Sequence, residues 1–302
     1  MSKSSSPLSF LWQALHLPSK NPELFSTVFS IYILSHLLLY GGFLLSISPL
    51  VFKLFDLAKS LLKIDPSSPE LTDLVDTVKA VAKELLIFEM IYYVLLFVIS
   101  SFLSVGTYYA SSTTYPGEVL TLKEVLNKVK GIIKGPLITH LFVALSGIVY
   151  IIFFAVIIFA ISRYFPSNSN ISSWFLEIPL ILFESFLLVY LSVFWFMGVA
   201  ISVIEPIFHE IGAILHATEL LNGKKTQIYL LILALIISSG IINLSNILII
   251  MFSGSQAGSW VVEFVYQILL QVMNLYTMMA IMFLYYECNQ SKENGSDYTK
   301  LV

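Results

Sequence analysis

The chain has 302 residues, 57% of them hydrophobic and only 12% charged, with a formal net charge of −3. A soluble domain carries about a quarter charged residues, so the composition excludes a disordered chain, a nucleic-acid-binding protein and an ordinary cytosolic enzyme. It points to an integral membrane protein. A single cysteine, Cys288, excludes an intrachain disulfide framework and a thiolate metal cluster.

Residues 1–22 read as a polar tail. Within it Ser6-Pro7 starts a short helix that puts Leu8, Leu11, Trp12 and Leu15 on one face, suited to lie in the membrane surface. Runs free of Asp, Glu, Lys and Arg then mark the spans, since a crossing helix needs about 20 mainly apolar residues. The first span is expected near 25–52; it is too long for a signal-peptide core and lacks a small-residue cleavage site, so it is expected to be retained. Before the second span, Ser68-Pro69 starts a helix whose stripe Leu71, Val75, Val78 and Ala82 runs into the span itself, near 85–110. Leu120–Ile133 reads as an amphipathic helix, with Leu122, Val125, Val129, Ile132 and Ile133 set against Lys123, Lys128 and Lys130. Further spans are expected near 136–162, 178–203, 228–252 and 262–286, followed by a polar tail, 287–302. The expected fold is a single all-α polytopic membrane domain, 1–302, of six transmembrane helices plus short amphipathic interfacial helices. Strands are excluded because ten-residue alternating segments are missing.

Putting both tails and the loops 110–136 and 205–227 on one side collects ten of the sixteen Lys and Arg residues there, which predicts cytosolic termini. A faint internal repeat is suggested by Ser146-Gly147-Ile148 and Ser239-Gly240-Ile241. Gly41, Gly42, Gly147, Gly198 and Gly240 are small residues that permit close helix packing.

Soluble catalytic motifs are missing, as is room for an extramembrane catalytic domain, so no enzymatic activity and no cofactor are expected. The most distinctive loop runs from Glu205 to Gln227. On one helix Glu205, His209, His216 and Glu219 would share a face and could hold zinc or shuttle a proton. That makes His209 and His216 the weak metal-ligand candidates. The plainer reading is an interfacial helix with its polar face in water, stopped by Asn222-Gly223. This loop also carries a resemblance: Glu205, Gly212, Ala213, Leu220, Gly223 and Lys224 fit a pattern similar to the membrane domain attached to some glycerophosphodiester phosphodiesterases and to related bacterial multi-pass proteins. A plant family of uncharacterised multi-pass proteins shares the layout. The resemblance implies lipid-related work; the phosphodiesterase catalytic domain itself is missing.

Polar residues inside the spans are the other candidates, because charge in hydrocarbon costs several kcal/mol and such residues usually face the bundle interior or water. In the sixth span Glu263, Gln267, Gln271, Asn274 and Met278 form one face. With Glu89 in span two, Glu184 in span four and Asn243 and Asn246 in span five, they predict a polar cavity for a cation, proton or small polar solute. The competing reading is interhelical hydrogen bonding. His36 and His140, in spans one and three, are expected to be packing residues. In the carboxyl tail, Cys288 is a candidate for palmitoylation and Tyr298-Thr299-Lys300-Leu301 for a tyrosine-type sorting signal, and in the loop between spans three and four Asn170 is a candidate for glycosylation. The first expectation for function is a non-enzymatic protein organising lipid or partner proteins in the endomembrane system or plasma membrane. The alternative is a transporter or channel. Expected partners are the bilayer and either a second copy or another membrane protein.

Overall fold

The computed structural model describes residues 8–64, 68, 70–164, 174–252 and 256–299, and the statements below concern those residues. It is all-helical. Six of its helices are long and apolar enough to cross a membrane, which makes the chain a polytopic membrane protein. The helices are α1 (Ser9–Lys20), α2 (Pro22–Ser46), α3 (Ser48–Leu61), α4 (Glu70–Thr114), α5 (Leu122–Ile132), α6 (Lys134–Tyr164), α7 (Trp174–Ile204), α8 (Glu210–Leu221), α9 (Lys225–Phe252) and α10 (Gln256–Thr299). The crossing helices are α2 with its continuation α3, then α4, α6, α7, α9 and α10.

Local sequence explains where they begin and end. Asn21 caps α2 by accepting from the Leu24 amide at 3.4 Å, and its own amide donates to Leu120 O at 3.1 Å, so one side chain ties the first span to the α4–α5 loop. Pro22 follows at the first helical position, where its missing N–H costs nothing. α5 opens on a capping box: Thr121 Oγ1 accepts from the Glu124 amide, and Glu124 Oε2 accepts from the Thr121 amide at 2.8 Å. α8 stops at Gly223, whose φ of +99° is open to glycine and disfavoured for other residues.

The three short helices α1, α5 and α8 all sit at one end of the bundle, and there the core lies. It is built from the start of α2 (Leu24, Phe25, Val28, Tyr32), the end of α4 (Val105, Tyr108, Ala110), the end of α7 (Met197 to Val203) and the start of α9 (Ile228, Leu231, Ile232). At its centre is α10, in which Leu275 and every residue from Thr277 to Tyr285 is buried. α1, α2, α4, α7, α8 and α9 enclose it. Toward the opposite end few side chains are buried, and the spans touch through single contacts such as Tyr40 with Phe264 and Phe43 with Tyr92. Leu34, Leu38 and Leu45 of α2, Leu145 to Phe159 of α6 and Ile236 to Ile249 of α9 include many exposed apolar side chains, which in a bilayer meet acyl chains.

Two expectations are refined. The α1 face Leu8, Trp12 and Leu15 is exposed as an interfacial face requires, but Phe10, Ala14 and Leu17 on the other side are fully buried. α1 therefore closes the packed end, and Tyr276 Oη donates to Leu11 O at 3.2 Å across that contact. The stripe from Leu71 runs unbroken into the second span within α4, whose 45 residues reach about 67 Å at 1.5 Å each. Its amino-terminal part packs with α3. The helix of the sixth span continues through the expected polar tail to Thr299.

The glycines divide. A Cβ on Gly198 of α7 would come 2.9 Å from the Ile214 side chain and 3.3 Å from its Cα, so this glycine sets the close approach of α7 and α8. Gly41, Gly42 and Gly240 have nothing within 4 Å, while Gly147 lies 3.9 Å from Trp195, so the two Ser-Gly-Ile triplets occupy unlike surroundings. Gly198→Val is expected to lower the stability of the detergent-solubilised protein by about 1–3 kcal/mol through overpacking, read as an earlier thermal unfolding midpoint, whereas Gly41→Val leaves it unchanged.

Candidate functional site

Where the packed end gives way to the open end, α2, α4, α6, α7 and α10 enclose a cavity of about 360 Å³. Tyr32 and His36 come from α2, Ser100 and Ser104 from α4, His140 from α6, and Gln271 and Asn274 from α10. Leu96, Phe196 and Met278 complete the lining. Tyr32 lies about 15 Å and His36 about 21 Å along α2 from Pro22, and Ser104 and Ser100 lie about as far from the end of α4. The cavity is therefore close to the middle of a hydrocarbon layer about 30 Å thick.

Its polar groups are ordered by hydrogen bonds. His36 Nδ1 lies 2.8 Å from Tyr32 O and Nε2 lies 3.2 Å from Ser100 Oγ, and the ring stacks on Tyr32 with centroids 4.5 Å apart. The Tyr32 and Ser104 hydroxyls bond each other. His140 Nδ1 lies 3.3 Å from Pro136 O. Asn274 Nδ2 donates to Gln271 Oε1 at 3.3 Å. A second cavity of about 330 Å³ lies between α7, α9 and α10. It is lined mainly by apolar residues, with Ser192, Ser239, Thr277 and again Asn274.

Of the residues expected to form a polar cavity, Gln271 and Asn274 line the central one, with Met278 of the same stripe. Gln267 donates to Glu263 Oε1 at 3.3 Å one turn away, and Glu263 also meets the Tyr40 hydroxyl. Asn243 bonds Ser239 O at 2.8 Å and accepts from Tyr266 Oη at 2.8 Å, an α9–α10 link. Glu89 and Glu184 are half-buried on α4 and α7 and line neither cavity; Tyr150 Oη donates to the backbone carbonyl of Glu184 at 2.7 Å. The side chain of Asn246 and all of Asn170, Lys300 and Leu301 lie outside what is described. Cys288 is described and is buried, 2% exposed, so acylation there would require the end of α10 to come away from its neighbours.

His36 and His140, expected to be packing residues, are the cavity's most distinctive groups. A lone histidine on an apolar helix carries no spacing signal. The signal that was there lies in the pairs: Tyr32 with His36 and Ser100 with Ser104 are each four apart and so share a helix face.

The loop after α7 differs from its expected form. Glu205, His209, His216 and Glu219 do not share one helix. α7 stops at Ile204, because Pro206 disfavours helical geometry in the residue before it, and α8 begins only at Glu210. His209 is the extended residue ahead of α8, and its imidazole packs so tightly on Gly135 of α6 that a Cβ there would overlap the ring. The reversal of the chain still brings Glu205 to His216, with Nε2 3.8 Å from Oε2, and Glu219 Oε2 lies 3.7 Å from His216 Nδ1. Phe208 stacks on His216, and buried Tyr285 donates to Glu205 Oε1 at 2.6 Å. Among the described residues no three of His, Cys, Asp and Glu converge as metal ligands would, and His209 stands apart from His216. The motif residues have plain structural roles: Ala213 and Leu220 are buried against the bundle, Gly223 turns the chain, and the Lys224 amide donates to Leu221 O at 3.0 Å, while Gly212 has open space around it.

One strained position stands out. Glu210 has φ of +54°, in the left-handed region that non-glycine residues avoid. It is held there by its amide, which donates to the buried Thr139 Oγ1 of α6 at 3.0 Å. Glu210→Gly is expected to stabilise the protein by about 1 kcal/mol by relieving that geometry. Thr139→Val is expected to destabilise it by about 1–3 kcal/mol by stranding the amide. Thermal unfolding in detergent checks both signs.

Comparison with curated proteins and with solved structures returned no match. A family model does match, over residues 9–302, and so covers nearly the whole chain. The chain belongs to the family described as Domain of unknown function (DUF8558).

Proposed function

We propose that this protein is a non-enzymatic membrane protein that binds lipid at a site inside the bilayer and so organises lipid in its membrane. The observation that carries this reading is the mid-membrane cavity: a polar lining of His36, His140, Gln271 and Asn274 beside spans whose outer halves expose apolar side chains. An amphipathic molecule matches that contrast, with its head in the cavity and its chains along the exposed apolar faces of the spans. The resemblance of the Glu205–Lys224 loop to membrane domains of lipid-related enzymes supports the same reading. A cation path through Glu89 and Glu184 is disfavoured, because neither carboxylate lines the cavity. The protein's partners on this account are bilayer lipids. Its termini are cytosolic, with Lys20, Lys123, Lys128 and Lys225 at the packed end on the side favoured for positive charge, in the endomembrane system or plasma membrane.

The test is mass spectrometry of lipid retained by the protein after mild detergent extraction. Wild type is expected to hold about one lipid per chain. Ser100→Phe, which fills the cavity, is expected to lose that lipid while its unfolding midpoint is preserved. Equal retention by both, or solute uptake into proteoliposomes that Ser100→Phe abolishes, would overturn the reading.

A further inference from the structure

We propose that the lipid taken by the central cavity is an uncharged two-chain glycerolipid with one free hydroxyl, a diacylglycerol. This rests on the lipid-binding reading above and adds the class of ligand.

Charge is the first discriminator. None of the side chains lining the cavity is a carboxylate, a lysine or an arginine. An unpaired charge at this depth costs several kcal/mol, so a phosphate or a quaternary ammonium entering it finds no partner.

Hydrogen-bonding capacity is the second. A backbone carbonyl only accepts. His36 Nδ1, 2.8 Å from Tyr32 O, and His140 Nδ1, 3.3 Å from Pro136 O, therefore each carry the ring proton. An imidazolium here would be an unpaired buried charge, so both rings are neutral and each Nε2 is an acceptor. His36 Nε2 is already used by the Ser100 hydroxyl at 3.2 Å. His140 Nε2 has no partner among the described residues, and its ring lines the cavity. It is an acceptor waiting for a hydroxyl proton. Gln271 offers the complement: its carbonyl oxygen is taken by Asn274, which leaves its N–H pair without a partner among the described residues. The ligand that completes this set brings one hydroxyl to donate to His140 and carbonyl oxygens to accept from Gln271. A diacylglycerol has one free hydroxyl and two ester carbonyls on adjacent carbons. A sterol has the hydroxyl without the carbonyls, and a triacylglycerol has the carbonyls without the hydroxyl.

The surroundings suit two acyl chains. The apolar surface for the chains is the outer face of the spans, where Leu38 of α2, Val94 and Val98 of α4 and Leu145 of α6 expose about half or more of their surface.

The experiment uses the full-length protein in nanodiscs with three photoactivatable probes: a diacylglycerol, a phosphatidylcholine and a sterol, each with crosslinked peptides mapped. The diacylglycerol probe is expected to label the peptides around His36, His140 and Gln271 in preference to the other two. Unlabelled diacylglycerol is expected to displace it, and the same lipid with its hydroxyl methylated is expected to do so about tenfold less well, the loss of one hydrogen bond to a buried acceptor. His140→Phe is expected to erase that tenfold difference, and because the methylated competitor tests the same bond on the unaltered protein, the result does not depend on the variant folding. Labelling of these peptides by phosphatidylcholine or sterol at least as strongly, or equal displacement by the methylated lipid, overturns the diacylglycerol assignment and leaves lipid binding standing. Labelling of these peptides by none of the three overturns both.

Discussion

The structure depends on the enclosure of one helix. From Leu275 to Tyr285 nearly every residue of α10 is buried. Six other helices wrap it. Several contacts hold this end together: Gly198 lets α8 lie against α7, Asn21 ties α2 to the α4–α5 loop, and Tyr286 of α10 donates to Ser112 O of α4 at 3.1 Å while stacking on Tyr115. In a bilayer there is little hydrophobic force between spans, so close packing and interhelical hydrogen bonds must hold them together. The protein concentrates both at one end.

The cavity follows from where that enclosure stops. One turn before Leu275, α10 changes from an all-round apolar helix to one carrying Asn274, Gln271, Gln267 and Glu263 along one face. Polar side chains in hydrocarbon need partners. Gln267 and Glu263 find each other and Tyr40, while Gln271 and Asn274 bond each other and share a cavity with the hydroxyls and imidazoles of α2, α4 and α6. Beyond this level few side chains are buried. A polar pocket at the point where a packed bundle opens to lipid is thus the outcome of one helix having two unlike halves.

The chain's coarse plan was legible in its sequence because it rests on strong, local signals. Long uncharged runs mark six crossings, the Ser68-Pro69 start and the stripe from Leu71 mark a helix running into the second span, and Asn222-Gly223 marks a stop. The polar face of α10 was legible as a face, by spacing alone. Which neighbours it meets was not, since that depends on how helices far apart in the chain pack. Glu89 and Glu184 attract notice as charges in apolar runs, yet they lie away from the cavity; His36 and His140 look incidental, yet they line it. The Glu205–Glu219 spacing suggested one helix face because helical periodicity was carried across Pro206. The chain turns there, and tertiary contact with Thr139 holds Glu210 in a conformation that no local preference predicts.

The most direct test of this account is a cryo-electron microscopy map of the protein in nanodiscs formed from its own membrane. The account predicts close packing around α10 at the end bearing α1, α5 and α8, a cavity among α2, α4, α6, α7 and α10 beyond it, and elongated density entering from the lipid side with its head against His140 and Gln271. A bundle closed along its full length, with His36, His140 and Gln271 packed directly on one another and no space between them, would contradict it.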